Sequence, residues 1–385
     1  MASPTPLLLA AAGGFLWAFG ILGKRLGVEG ASNGTKAVRL LDVQFCLLLI
    51  SLVDWACAAI TIFVYTLTTV VSPSVDLFRM GGEGWSRTWN NPDWNHRLPW
   101  IFGCGLISGA GGLLGTVAFA WSAGSSSALI SMIENGTYTM SSALIIALYF
   151  QEHLKPQTYV GFVFILAGVV LAQRSSRQRE PVPLCDDTEE SESDEEMEKK
   201  VDDGLDSEDD NSTVAPSSLR MRAVFLSVAA GTCWGFGPLG KKIGVHGSSD
   251  AEQHEWTTCT YFVYMVATTV VPLGRVLASD SASRRMVLRD RRFRYLLLGT
   301  MLCGLISGCG GLISTFAFSL EGYFSGALIA TVENGVYTVF GALLIAVLFE
   351  EELGTQQLLS ACSVVLAIFI FGMDFRWMAS HLGFG

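Results

Sequence analysis

Residues 104–154 read CGLISGAGGLLGTVAFAWSAGSSSALISMIENGTYTMSSALIIALYFQEHL, and residues 303–353 read CGLISGCGGLISTFAFSLEGYFSGALIATVENGVYTVFGALLIAVLFEEEL. Set together without a gap, 28 of the 51 positions are identical. The chain therefore contains a duplicated unit. Each copy carries Glu-Asn-Gly-x-Tyr-Thr, beginning at Glu134 and Glu333, inside an otherwise apolar run. A charged side chain at that depth costs roughly 2.5–3.5 kcal/mol on insertion scales. Its presence twice, in register, points to a pair of related polar sites inside a membrane protein.

Composition agrees. Half of the 385 residues are hydrophobic and only 16% are charged, against about 25% charged in a soluble domain. Mean hydropathy is +0.43. Bilayer rules govern such a chain, so its spanning elements must satisfy their own backbone polar groups. The net charge of −10 is local in origin. Residues 174–222 hold 16 acids and 7 bases, a net of −9. That segment, rich in Glu, Asp and Ser, reads as a disordered linker between two hydrophobic halves.

Outward from the repeat, apolar runs long enough to span about 30 Å of hydrocarbon occur at 6–26, 44–71, 99–122, 126–150 and 158–172. A second five occur at 223–243, 257–277, 295–320, 325–349 and 357–373. The expected architecture is all-α, with ten transmembrane helices in two five-helix repeats. The domains are then 1–173, a linker at 174–220, and 221–385. Five spans per half is an odd number, so the second half enters the membrane from the opposite side. Such inverted repeats place a substrate site near the midplane and support alternating access. The repeat extends upstream: Trp17-Ala-Phe-Gly-Ile-Leu-Gly-Lys24 matches Trp234-Gly-Phe-Gly-Pro-Leu-Gly-Lys241, and Thr68-Thr-Val-Val matches Thr268-Thr-Val-Val. The first half carries 18 extra residues upstream of its third helix, and much of that excess is read as a Trp-rich loop at 81–97.

Orientation is pulled two ways. Bases at both ends of the linker and at 275–294 make that side cytosolic by the positive-inside rule. The sequons at Asn33 and Asn211 on the same side would make it non-cytosolic if glycosylated. The charge argument is the stronger. Which membrane is occupied stays open.

Within the duplicated motif, Glu134 and Tyr138 lie four residues apart and share a helix face, as do Glu333 and Tyr337. Asn135 and Asn334 sit about 100° around. As a functional site, the carboxylates bind a proton, a cation or a polar group of a solute, with Asn and Tyr adding hydrogen bonds. Desolvation favours the neutral form of a carboxylic acid, which suits proton coupling. The bland alternative is a structural pair of neutral acids. Lys24 and Lys241 fall near the ends of their apolar runs. They read either as anchors that snorkel to lipid headgroups or as groups pairing with an anionic solute. Trp17 and Trp234 either stack on a solute or fill the interior. Asp54 is an unmatched acid in the second run, and Pro238, opposite Ile21, is expected to kink its helix. Gly105, Gly109 and Gly112, repeated at Gly304, Gly308 and Gly311, form a smooth strip for close helix packing. Eight of the nine cysteines lie in apolar segments and show no metal or disulfide spacing.

The two five-helix halves, and a fourth helix closing on an acid-containing turn (Gln151-Glu152-His153 and Glu350-Glu351-Glu352), resemble the drug/metabolite transporter superfamily and its EamA-like repeats. The resemblance implies a central pathway lined by the third and fourth helices of each half. It implies transport of a sugar, nucleotide sugar, amino acid or organic phosphate. The partners are then a small-molecule solute, the lipid bilayer and protons, with no nucleic acid and no cofactor; a homodimer stays open. No catalytic signature appears, so no enzyme is expected. The competing reading is a non-transporting membrane scaffold or sensor acting through its acidic linker.

Overall fold

The structure is a computed structural model. It describes residues 5–36, 43–121, 127–153, 217–320 and 324–349, with scattered residues between 156 and 167 and between 355 and 370. The linker up to residue 216, the sequon at Asn211 and most of the fifth and tenth predicted spans lie outside the described residues.

Every regular element among the described residues is a helix. The order is α1 (Thr5–Lys36), α2 (Val43–Thr69), α3 (Val71–Asn90), α4 (Pro92–Asn95), α5 (Leu98–Trp121) and α6 (Ser127–Phe150). The second half gives α7 (Ser217–Trp234), α8 (Phe236–Val245), α9 (Gln253–Ala278), α10 (Ser281–Arg289), α11 (Arg291–Ser319) and α12 (Gly326–Leu348). Seven helical stretches among the described residues are long and apolar enough to cross a membrane. The chain is thus an all-helical, multi-pass membrane protein. Helix α6 covers the fourth predicted run, and α7 begins four residues before the expected end of the linker.

Local chemistry sets several boundaries. Asp290 ends α10 and caps α11, accepting hydrogen bonds from the N–H groups of Arg292 and Phe293. Ser325 caps α12 by accepting from Leu328 N–H. Pro238 has no N–H to offer the carbonyl of Trp234, and the helix is interrupted at Gly235, between α7 and α8. In α1 the corresponding position is Ile21, and that helix is continuous.

One expectation fails here. The Trp-rich stretch at 81–97 is largely helical, not a loop, and it does not hold the 18 extra residues of the first half: the offset between halves is already 199 at Tyr65 and Tyr264, so the excess lies between Lys24 and Tyr65. Trp94 is fully buried. Trp85 stacks on Trp89 at 5.0 Å between centroids, and Trp94 packs on Trp89 at 5.7 Å. The indoles supply the apolar area that makes a polar-looking segment fold against α9.

The helices cross between halves in a matched way. Helix α1 packs mainly on α11 and α12, while α7 packs on α5 and α6. A Cβ on Gly23 would lie 2.8 Å from the Cβ of Cys303, and one on Gly240 would lie 2.7 Å from that of Cys104. Gly14 faces the carbonyl of Glu333, as Gly231 faces the carbonyl of Glu134. The glycine strips behave as packing surfaces. A Cβ on Gly105 would meet the carbonyl oxygen of Tyr264 at 2.6 Å, and one on Gly304 would meet that of Tyr65 at 2.7 Å. These contacts correct a register. They pair Tyr65 with Tyr264, a spacing one residue shorter than the alignment of Thr68-Thr with Thr268-Thr.

Candidate functional site

The duplicated Glu-Asn-Gly-x-Tyr-Thr motifs lie on α6 and α12, which pack against each other. Glu134, Asn135, Glu333 and Asn334 are all buried. Each carboxylate has a cation. Lys24 Nζ donates to Glu134 Oε1 at 2.8 Å, and Lys241 Nζ donates to Glu333 Oε1 at 2.7 Å. Both lysines are 1% exposed. The reading of Lys24 and Lys241 as headgroup anchors is therefore overturned. Their helices continue past the point where the apolar run seemed to end, and the side chains turn inward to meet a buried charge. The neutral-acid reading of the glutamates also loses its basis. A buried carboxylate with a close, buried ammonium is compensated as an ion pair.

The pairs interlock through aromatic rings. Each lysine bonds to a glutamate of its own half and sits over a tryptophan of the other: Lys24 is 5.2 Å from the Trp234 ring and Lys241 is 5.7 Å from the Trp17 ring. The seven-residue step from Trp to Lys is two helical turns, which puts both on one face. Trp17 and Trp234 meet edge to face at 6.5 Å, and Tyr138 meets Tyr337 the same way at 6.2 Å.

These groups enclose a central cavity lined by Trp17, Lys24, Tyr65, Asn135, Tyr138, Trp234, Glu333, Asn334 and Tyr337. Its free space is about 10 Å³, room for roughly one water. The site is closed in this conformation. Eight of the ten residues singled out from sequence line it; Glu134 and Lys241 stand immediately behind, each bonded to a lining residue. Tyr65 was missed. Its signal was the shared tyrosine of α2 and α9, hidden by the one-residue register error. Asp54 is half-buried and does not line the cavity.

Around matched pairs the surroundings differ. In the first half Gly115 lets the Glu134 carboxylate approach: a Cβ there would lie 2.6 Å from Oε2 and 2.7 Å from Oε1. In the second half Ser314 stands at that position, and its hydroxyl accepts a second bond from Lys241 at 2.8 Å. Asn135 Nδ2 donates to Ser131 at 3.1 Å on its own helix. Asn334 has Ala330 one turn back, so its Nδ2 crosses to Ser142 of α6 at 2.9 Å. Glu333 Oε2, Asn334 Oδ1 and the indole nitrogens of Trp17 and Trp234 have no partner among the described residues.

At one end of the site Glu152, in the acidic turn after α6, joins three helices. It pairs with Lys242 of α8 and accepts the N–H groups of Gly326 and Ala327 at 3.3 and 3.2 Å, the N-terminus of α12. That position suits a carboxylate because the first N–H groups of a helix lack partners and carry partial positive charge. Residues 350–352, the second acidic turn, lie outside the described residues.

No protein-family model matches the chain, and no curated protein matches it. Solved structures do share its fold. One, described as "Crystal structure of protein", aligns over 96% of this chain and 97% of its own, with a TM-score of 0.52 and 14% identity. The likeness is one of fold, over nearly the full length of both chains.

Proposed function

We propose that this protein is a secondary-active transporter of a small polar metabolite, built as two inverted five-helix halves and similar to the drug/metabolite transporter superfamily. The observation that carries the reading is the central cavity: two buried Lys–Glu pairs and five aromatic rings closed around space for about one water. A membrane anchor has no use for four buried charges at a shared point, because burial of ions is costly even when they are paired.

In this reading the solute sits between α1, α6, α7 and α12. Transport follows as the two halves shift against each other, each Lys–Glu pair lying within one half and moving intact. Glycine-to-carbonyl contacts, such as Gly14 at Glu333 and Gly231 at Glu134, leave no side chain in the way of that shift. The Glu152–Lys242 pair and its bonds to α12 close one mouth, and opening that mouth requires their separation. The ion pairs sum to zero charge, so the loaded core moves no uncompensated charge of its own. Solute exchange or proton movement supplies the energy.

The test is uptake into proteoliposomes of a pooled panel of sugars, amino acids, nucleotide sugars and organic phosphates, with and without a proton gradient. Wild type is run beside the Glu134→Gln/Glu333→Gln double variant. Saturable uptake lost in the variant is the expected result. No uptake of any compound by folded, inserted protein would refute the reading and favour the scaffold.

A further inference from the structure

We infer that the cavity recognises a neutral, hydroxyl-rich solute of the sugar or polyol class, through Glu333, Asn334, Trp17 and Trp234. This rests on the transporter reading and narrows it.

Charge is the first ground. Two ammonium groups and two carboxylates face one another at 2.8 and 2.7 Å, so the site is neutral as built. An organic phosphate would have to draw a lysine from its glutamate. A cation would have to draw a glutamate from its lysine. Either leaves a buried charge unpaired, which is strongly destabilising. A zwitterionic amino acid fares little better. Its ammonium would share the Glu333 carboxylate with Lys241, and its carboxylate would find no cation to spare.

Unused hydrogen-bonding capacity is the second. Among the described residues the lining holds two acceptors without a protein partner, Glu333 Oε2 and Asn334 Oδ1, and two donors without one, the indole N–H groups of Trp17 and Trp234. Buried polar groups are otherwise almost always bonded. A hydroxyl both donates and accepts, so a polyol satisfies both sets at once and brings no charge. The free acceptors belong to the second half, where Ser314 holds Lys241 from the other side.

The aromatic walls are the third. Trp17, Trp234, Tyr138 and Tyr337 pack at 6.2 to 6.5 Å, largely edge to face. When the rings part they offer flat apolar surfaces to the C–H faces of a sugar ring while its hydroxyls reach the acceptors at the rim.

The experiment is counterflow in proteoliposomes of the full chain. The labelled probes are a pool of neutral sugars and polyols (D-glucose, D-ribose, myo-inositol), a pool of zwitterionic amino acids (L-alanine, L-serine) and glucose 6-phosphate. Saturable counterflow of the neutral pool, at least tenfold faster than of the other two, is expected. Trp17→Phe keeps the ring and removes the indole donor; Asn334→Ala removes the acceptor. Each should raise the half-saturating concentration about threefold to tenfold, the worth of one hydrogen bond. Counterflow of amino acids or glucose 6-phosphate without the neutral pool overturns the inference and leaves the transporter standing. Counterflow of none overturns both. Counterflow of the neutral pool with both variants unchanged overturns the assignment to these atoms.

Discussion

The two halves of this molecule hold the same ion pair in different company. Lys24–Glu134 is sealed: the carboxylate lies against Gly115, and among the described residues Lys24 donates to Glu134 alone. Lys241–Glu333 is tied from behind by Ser314 and leaves Glu333 Oε2 without a partner among the described residues. Duplication kept the helix crossings, the glycine contacts and the pairs. Divergence at a few neighbours, Gly115 against Ser314 and Ser131 against Ala330, made one pair a structural bolt and the other a candidate contact for solute. Matched sequence motifs thus need not carry matched roles.

The sharpest way to break this comparison is to remove one carboxylate at a time. Glu134→Gln strands Lys24 in the interior and should cost about 3–5 kcal/mol of stability, read by chemical unfolding in detergent micelles. Glu333→Gln should cost less, because Lys241 keeps the Ser314 hydroxyl. The reverse order would undo the distinction. Adding Lys24→Met to Glu134→Gln should recover most of the loss, since with both ionic groups replaced no buried charge is left unpaired.

Next come exchanges of the differing neighbours. Gly115→Ser pushes a Cβ into the Glu134 carboxylate and should cost about 1–3 kcal/mol, the range for overpacking. Ser314→Gly removes one hydrogen bond and should cost about 1 kcal/mol. If both swaps cost the same in thermal unfolding, the surroundings of the two pairs are equivalent and the two pairs do not differ in role.

The shared framework is probed by Gly14→Ala and Gly231→Ala. Each places a methyl against a glutamate carbonyl, so their losses of stability, again about 1–3 kcal/mol, should agree within about 0.5 kcal/mol. A large disparity would show that the crossings are not matched. The smallest effect is expected from Pro238→Ile, which copies Ile21 and restores the N–H for the Trp234 carbonyl. Stability should change by less than about 1 kcal/mol, while the rate of transport falls as α7 and α8 merge and carry Trp234 with them.

Much of this was legible in the sequence because bilayer physics is strict. A run of apolar residues that long must be helical, and a carboxylate kept twice in such a run must be compensated. Glu134, Asn135 and Tyr138 and their counterparts were found on that ground, and the structure gathers them at one cavity. What the sequence hid was the partner. Lys24 and Lys241 stood near the ends of apolar runs, where a lysine ordinarily reaches outward; only the crossing of α1 over α12, and of α8 over α5, turns them inward. Tyr65 was hidden by a run of threonines and valines that aligns well one residue out of register. The Trp-rich stretch looked like a loop because its glycines and polar residues mask the three indoles that fold it onto α9.

The central claim is that the site alternates between the two sides of a membrane. It is tested most directly by trans-stimulation: uptake of a labelled solute into proteoliposomes preloaded with the same solute unlabelled, for wild type and Glu333→Gln. Preloading is expected to speed wild-type uptake severalfold, and Glu333→Gln to abolish the stimulation while remaining folded. Uptake that never saturates and is indifferent to preloading would mean a channel, and would contradict the account.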